Sequence, residues 1–372
     1  MNDTETRLRD YLHTQAATVP DDAHGPGLDE PRHRRHWPVL MAAAAIAAVL
    51  VLTATFLTRL SEDMPEPAGP VSTAPPTIPY TAGAMMHDGD QRVRIPKGVD
   101  GFFFGRVDGG WLGGYMPKPG QFQAAVLNAN GAFRTIGPQR SGGTTLSPDR
   151  KQVAVMHYRS ATEGDIVIVD LASGRAVSTT QLPYQPILLG WNQSGLWMSN
   201  DGVTTSELMV WRQPGSGQPE HVDFAGFQGG GMSAPAGTDT IALYSKNGDD
   251  RCVKAAVLRD DALKILRQYC DAGPEALYPL MSPDGRKMVN SLQKLVVDVR
   301  SGKVTKLQLP AAEEMTDFPS AQFEDANQLI LLTTPPPSTR KLTPQTMYRC
   351  DVRSGECAVL QKNGAGITLQ QP

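Results

Sequence analysis

A tight turn recurs along this chain at a near-constant interval, and that interval limits the fold more than any other feature. The turns are Val107-Asp108-Gly109-Gly110, Ser147-Pro148-Asp149-Arg150, Asn192-Gln193-Ser194-Gly195, Ala236-Gly237-Thr238-Asp239, Ser282-Pro283-Asp284-Gly285 and Glu324-Asp325-Ala326-Asn327. Anchored on Asp108, Asp149, Ser194, Gly237, Asp284 and Asp325, they lie 41, 45, 43, 47 and 41 residues apart. A short apolar run follows each turn: Trp111 to Tyr115, Gln152 to His157, Leu196 to Ser199, Thr240 to Tyr244, Lys287 to Ser291 and Gln328 to Thr333. A period of about 40 to 45 residues with about four strands per repeat marks a β-propeller, in which each repeat forms one blade.

The stretch Met281 to Leu309 shows the plan most clearly. In Ser282-Pro283-Asp284-Gly285, Pro presets φ, Asp bonds nearby backbone and Gly accepts positive φ. Leu295 to Val299 is β-branched and apolar, short enough for a buried strand. Arg300-Ser301-Gly302-Lys303 turns the chain, and Val304 to Leu309 alternates apolar with polar, as a half-exposed strand does. The same second half recurs at Asp165 to Leu182, turning at Ala172-Ser173-Gly174-Arg175, and at Tyr348 to Gln361, turning at Arg353-Ser354-Gly355-Glu356. Met85 to Ile95 reads as a hairpin before the first repeat, and Gly366 to Leu369 as a strand after the last. A closing blade drawn from both ends makes seven blades; six blades with a terminal clasp is the alternative. The expectation is therefore an all-β propeller over residues 80–372.

The runs SPDRKQVAV and SPDGRKMVN, with the returns IVDLASGR and VVDVRSGK, resemble TolB-type and WD-type propeller repeats over roughly Gly83 to Pro372. The whole layout also resembles actinobacterial single-span membrane proteins with an external propeller. The resemblance implies binding or scaffolding rather than catalysis.

That layout follows from the residues before the repeats. Residues 1–36 are polar and read as a largely disordered cytoplasmic segment, although Leu8, Tyr11 and Leu12 could line one side of a short helix. Val39 to Leu57 is 19 residues without a charge, inside a transmembrane segment expected at 37–58. Arg32-His33-Arg34-Arg35-His36 precede it, and Glu62, Asp63 and Glu66 follow, against a single Arg59. The positive-inside rule then leaves the amino terminus in the cytoplasm and the propeller outside the cell membrane. The long leader, the long apolar run and the lack of an A-x-A site favour an uncleaved anchor over a signal peptide. Residues 59–79, rich in Pro, read as a stiff extended linker.

Four cysteines test the compartment. Cys252 and Cys270 are symmetric about Asp261, and Cys350 and Cys357 flank the Arg353-Ser354-Gly355 turn. Each pair falls on facing strands of one expected hairpin. Of the three pairings that four Cys allow, the nested hairpins select these two, and disulfides call for an oxidising compartment.

The search for chemistry is mostly negative. A net charge of −3 gives no electrostatic case for nucleic acid. His87, His157 and His221 are far apart, so no metal site is expected. Gly231-Met232-Ser233-Ala234-Pro235 stops short of a nucleophile elbow. Gly226 to Gly231 has glycines without the lysine and helix of a phosphate loop, and reads as a close-packed crossing between blades. His87-Asp88-Gly89-Asp90 and Asn247-Gly248-Asp249-Asp250 read as hairpin turns rather than Ca²⁺ loops. Asp149 and Asp284 read as turn formers, not an acid/base pair. Trp111, Trp191, Trp197 and Trp211 read as core, with Trp191 the best candidate for a ligand-facing rim. No catalytic residue, cofactor or metal is expected. The function expected is a membrane-anchored binding, sensing or scaffolding module for a protein partner at the cell envelope or a small ligand. The alternative is a propeller-type hydrolase or lyase acting at the channel mouth.

Overall fold

Seven sheets, six of four strands and one of five, form the structure, a computed structural model that describes residues 70–97, 99–116, 118, 122–200, 207–247, 250–270, 279–290, 293–310, 314–315, 321–334, 344–364 and 366–370. The apolar run Val39 to Leu57 and its flanks lie outside the described residues. Among the described residues there are strands and turns but no α-helix.

Six blades follow the repeat in order. Blade 1 comprises Val99–Val107, Gly110–Tyr115, Gln123–Asn128 and Phe133–Thr135. Blade 2 comprises Ser141–Leu146, Gln152–Tyr158, Gly164–Asp170 and Ala176–Leu182. Blade 3 comprises Pro186–Asn192, Gly195–Asn200, Leu208–Trp211 and Glu220–Val222. Blade 4 comprises Phe227–Ser233, Thr240–Asn247, Asp250–Arg259 and Ala262–Cys270. Blade 5 comprises Leu280–Met281, Lys287–Asn290, Leu295–Asp298 and Val304–Lys306. Blade 6 splits its first position between Glu314–Met315 and Ala321–Phe323, then continues through Gln328–Thr334, Gln345–Asp351 and Cys357–Gly364. Blade 7 is composite, in the order Ile367–Leu369, Tyr80–Ala82, Met85–Asp88 and Gln91–Arg94. The ring is thus the seven-bladed form, closed by both ends of the chain. The strand at Tyr80–Ala82 carries too weak a pattern to be read from sequence.

Packing explains why a blade needs its neighbours. The buried apolar side chains fall into seven clusters, one at each interface between consecutive blades. Between blades 2 and 3, for instance, Ile166 and Ile168 meet Leu196, Met198 and Trp211. Between blades 6 and 7, Ile330 and Leu332 meet Ile367 and Leu369. Second strands such as QVAVMHY and QLILLTT are buried on both faces and so read as continuous apolar runs. Fourth strands form the exposed rim, as in Ala262–Cys270, and first strands touch one another around the axis.

The two Ser-Pro-Asp turns share one hydrogen-bond pattern. Ser282 Oγ–H donates to Asp284 (2.6 Å), the Arg286 N–H donates to Asp284 (3.1 Å), and the Lys287 N–H donates to Ser282 Oγ (2.8 Å). Ser147, Asp149, Lys151 and Gln152 reproduce it in blade 2. Three of the turns between third and fourth strands, in blades 2, 5 and 6, are braced by an Asp that accepts from the turn. Asp170 accepts from Ser173, Asp298 from Ser301, and Asp351 from the Arg353 N–H. Those bonds help hold the three carboxyls below the usual carboxylate range.

Both predicted disulfides are present, Cys252–Cys270 and Cys350–Cys357, each joining directly opposed residues of a third and a fourth strand. They sit at opposite ends of their strand pairs. Cys350–Cys357 lies beside the connecting turn, and Cys252–Cys270 at the far end from it. Strands alternate in direction, so turns joining strands one to two and three to four share one face of the ring. The chain enters blade 7 on that turn face, through Pro70 to Pro79, and Gln370 leaves it there, its N–H donating to Pro79 O at 3.0 Å.

Candidate functional site

First strands line the axis, so their sequences set what the channel can do. Together they read VDGFFFGRV, SGGTTL, PILLGWN, FQGGGMS, LM, EM with AQF, and ITL. Asp100, Arg106 and Glu314 are their charged residues. Blades 1 to 4 all interrupt the register between first and second strand, at Asp100/Phe103, Ser141/Thr144, Leu188/Gly190 and Phe227/Met232. Such bulges leave an extra residue unpaired and disrupt the ladder locally. By sequence the first strands are therefore rich in Gly, aliphatic residues and Phe, with few titratable ones. The glycine run near Gly226 to Gly231, expected as a crossing between blades, is instead the first strand of blade 4; lacking side chains, it tolerates the crowded axis.

The three histidines do not converge. His87 stacks on Tyr80 in blade 7 with ring centroids 4.8 Å apart; burial, then the Arg92 charge, lowers its pKa. His157 lies in blade 2, and His221 on the outer strand of blade 3. Among the described residues no three His, Cys, Asp or Glu side chains cluster as a metal site would need. Ser233 is a brace between blades: its Oγ accepts the Met281 N–H at 3.1 Å. Asp149 and Asp284 are held within their own turns, as above. Trp111, Trp197 and Trp211 are core residues, and Trp191, 8% exposed, packs in the cluster between blades 2 and 3.

Two arrangements escape a reading of the sequence. In blade 2, register places Ser141 opposite His157, and His157 opposite Asp165. His157 Nδ1 lies 3.4 Å from Asp165 Oδ2, and Arg159 Nε lies 3.6 Å from Oδ1. The row looks like a hydrolytic triad on strand positions alone. However, Ser141 Oγ–H is committed to Pro138 O at 2.6 Å, and Ser141 is 3% exposed. A nucleophile needs its proton on the base, so this row is a buried polar brace.

The second arrangement joins blades 7 and 1. Asp88 Oδ2 accepts from Arg106 Nε and Trp111 Nε1, both at 2.7 Å, and Asp88 Oδ1 pairs with Arg106 Nη2. The bidentate pair raises the Arg106 pKa further. These groups and Gly109, Gly110, Gln91 and Ala129 border a cavity of about 370 Å³ on the turn face. Asp88 came from a predicted hairpin turn, and Gly89 does turn there with φ +57°. Its cross-blade partners, 18 and 23 residues away, carry no local signal.

Known structures place the fold in context. No protein-family model matches the chain, and no curated protein matches its sequence. The β-propeller domain of Cps50 (Swd1) from Myceliophteria thermophila superposes with a TM-score of 0.50 at 11% identity, covering 73% of this chain and 88% of that one. A chain of the Mitotic Checkpoint Complex superposes with a TM-score of 0.50 at 10% identity, covering 81% and 89%. TolB from Acinetobacter baumannii matches with a TM-score of 0.40 at 12% identity, over 68% of this chain and 63% of that one. At such identities the likeness of the first two shows the fold alone, a β-propeller, as the repeat turns implied.

Proposed function

We propose that this chain is a tethered binding or scaffolding module whose propeller engages a protein partner at the cell envelope. The observation that carries the reading is the channel lining. Its first strands offer Gly, aliphatic residues and Phe in bulged ladders, which suit an inserted peptide segment and offer little to general acid–base chemistry. The two disulfides suit an oxidising compartment. The uncharged run Val39 to Leu57 after Arg32 to His36 suits an anchor with the propeller outside. Crosslinking on intact cells tests this: the full-length chain should capture a partner that a chain ending at Pro79 does not. An identical set of captured proteins would overturn it.

The alternative is a propeller-type hydrolase, for which the Ser141, His157 and Asp165 row would first have to release the Ser141 Oγ–H from Pro138 O. A fluorophosphonate probe separates the two. Labelling that disappears in Ser141→Ala would assign a nucleophile, and equal signal from both chains leaves the binding module standing.

A further inference from the structure

The seam of the ring has a weakness the other blades lack. In blades 1 to 6 a turn links the first and second strands covalently. In blade 7 these strands come from opposite ends of the chain and meet over three residue pairs, Tyr80–Leu369, Thr81–Thr368 and Ala82–Ile367. Nothing covalent stops them from parting.

The residues just before Tyr80 answer that weakness. Arg349, on the third strand of blade 6, is 3% exposed. Its Nη1 donates to Ser72 O (2.7 Å) and Ala74 O (2.9 Å), and its Nη2 to Pro75 O (3.1 Å). Its Nε and Nη2 also donate to the Glu324 carboxylate at 2.6 and 2.9 Å. All five guanidinium N–H groups are therefore used. Glu324 in turn accepts the Thr77 N–H. Thr77 O accepts from Arg106 Nη2 at 2.6 Å, and Arg106 also holds Asp88. Thr77 is thus gripped from blade 6 through its N–H and from blade 1 through its carbonyl, with blade 7 between. Ile78, 1% exposed, joins the apolar cluster between blades 6 and 7.

We propose that Ser72 to Ile78 is a lock on ring closure, and that the buried Arg349–Glu324 pair is its catch. With the strap seated, the catch is satisfied and the seam is bolted to both neighbouring blades. With the strap lifted, three Arg349 donors lose their acceptors in a buried site, so half-seated states are disfavoured. The lock has two positions, and a pull on the chain upstream of Pro70 meets the catch before it reaches the three-residue ladder. The lock does not depend on what the ring binds.

Hydrogen exchange on the full-length chain tests it. The double variant Arg349→Met with Glu324→Leu removes the catch without leaving a lone buried charge. Exchange in Tyr80–Ala82 and Ile367–Leu369 should then accelerate at least tenfold, while Gln152–Tyr158 in blade 2 keeps its wild-type rate. Arg349→Lys, whose ammonium cannot span three carbonyls and a carboxylate, should give a smaller acceleration confined to the same two segments. Wild-type rates at the seam in the double variant would overturn the lock. So would an equal acceleration in blade 2, which would make the pair a general stabiliser.

Discussion

Blade 5 and blade 7 have the same four-stranded plan but are held together by different chemistry. Blade 5 is one continuous stretch from Leu280 to Lys306, and side-chain contacts within it are local, as in Ser282 with Asp284, Lys287 with Asp298 and Asp298 with Ser301, beside braces from Ser233 and Arg267 of blade 4. Blade 7 joins residues 80–94 to residues 367–369, and its contacts span the chain. Arg349 reaches Ser72 across 277 residues, and Arg106 reaches Asp88 from the next blade. A repeat specifies a blade largely through short-range chemistry, whereas closing the ring takes partners far apart along the chain.

The largest effect should separate the two blades directly. Arg349→Ala leaves Glu324 buried without its partner and should cost about 3–5 kcal/mol. Lys287→Ala in blade 5 breaks a more exposed pair, with side chains 20% and 21% exposed, and should cost no more than about 1 kcal/mol. Urea midpoints measure both, and equal losses would erase the distinction between local and closing contacts.

The disulfides flanking blade 5 come next. Replacing Cys252 and Cys270 by Ser frees a loop with a sequence separation of 18, and should cost about 3 kcal/mol by chain entropy. Replacing Cys350 and Cys357 frees a separation of 7, and should cost about 2 kcal/mol. The reverse ranking in thermal unfolding would show that the bridge beside the seam does more than restrict the unfolded chain.

The repeat turns provide a finer test. Gly285 has φ +70°, and a Cβ there would lie 2.8 Å from Thr240 Cβ in blade 4. Gly285→Ala should therefore cost about 1–3 kcal/mol, from crowding and a left-handed backbone. Arg150 occupies the equivalent position of blade 2 at φ +57°. Arg150→Gly should stabilise the protein by about 0.5–1 kcal/mol. Calorimetry reads both signs; a loss at Arg150→Gly would show that its side chain contributes more than its backbone costs.

Acid gives the smallest effect. Partial burial pushes the Asp298 carboxyl up, but the Lys287 ammonium and the Ser301 N–H and O–H outweigh it and bring its pKa to about 2. A folded pKa below the unfolded one means stability that is present above about pH 4 and is lost as pH falls towards about 2. Asp298→Asn should be less stable than wild type at pH 6, and the gap should close between pH 4 and 2. A gap unchanged at pH 2 would show that the charge contributes nothing.

The sequence disclosed what is local and repeated. Each repeat turn is made by residues adjacent in sequence, two of them by Ser-Pro-Asp with its following backbone N–H groups, so the six turns and the strands after them were legible. The cysteine pairs were legible because each lies within one hairpin. The lock and the Asp88–Arg106–Trp111 staple were not, because an Arg349 or an Asp88 looks like any surface charge until the fold supplies a partner hundreds, or even some twenty, residues away. The Ser141, His157 and Asp165 row was hidden likewise, since strand register alone aligns it. The glycines of blade 4 misled because a bulged axial strand and a crossing both demand small residues.

One detail of the seam has a practical reach. The Gln370 N–H meets Pro79 O at 3.0 Å, so the last described residue touches the entrance of blade 7. The propeller is, in effect, a closed loop of chain with a single nick. Splicing Gln370 to Pro79 through a short turn, and opening new termini between Ser160 and Glu163, would move that nick to blade 2. Such a circular permutant would turn the composite blade into an ordinary one and relieve it of its dependence on the strap.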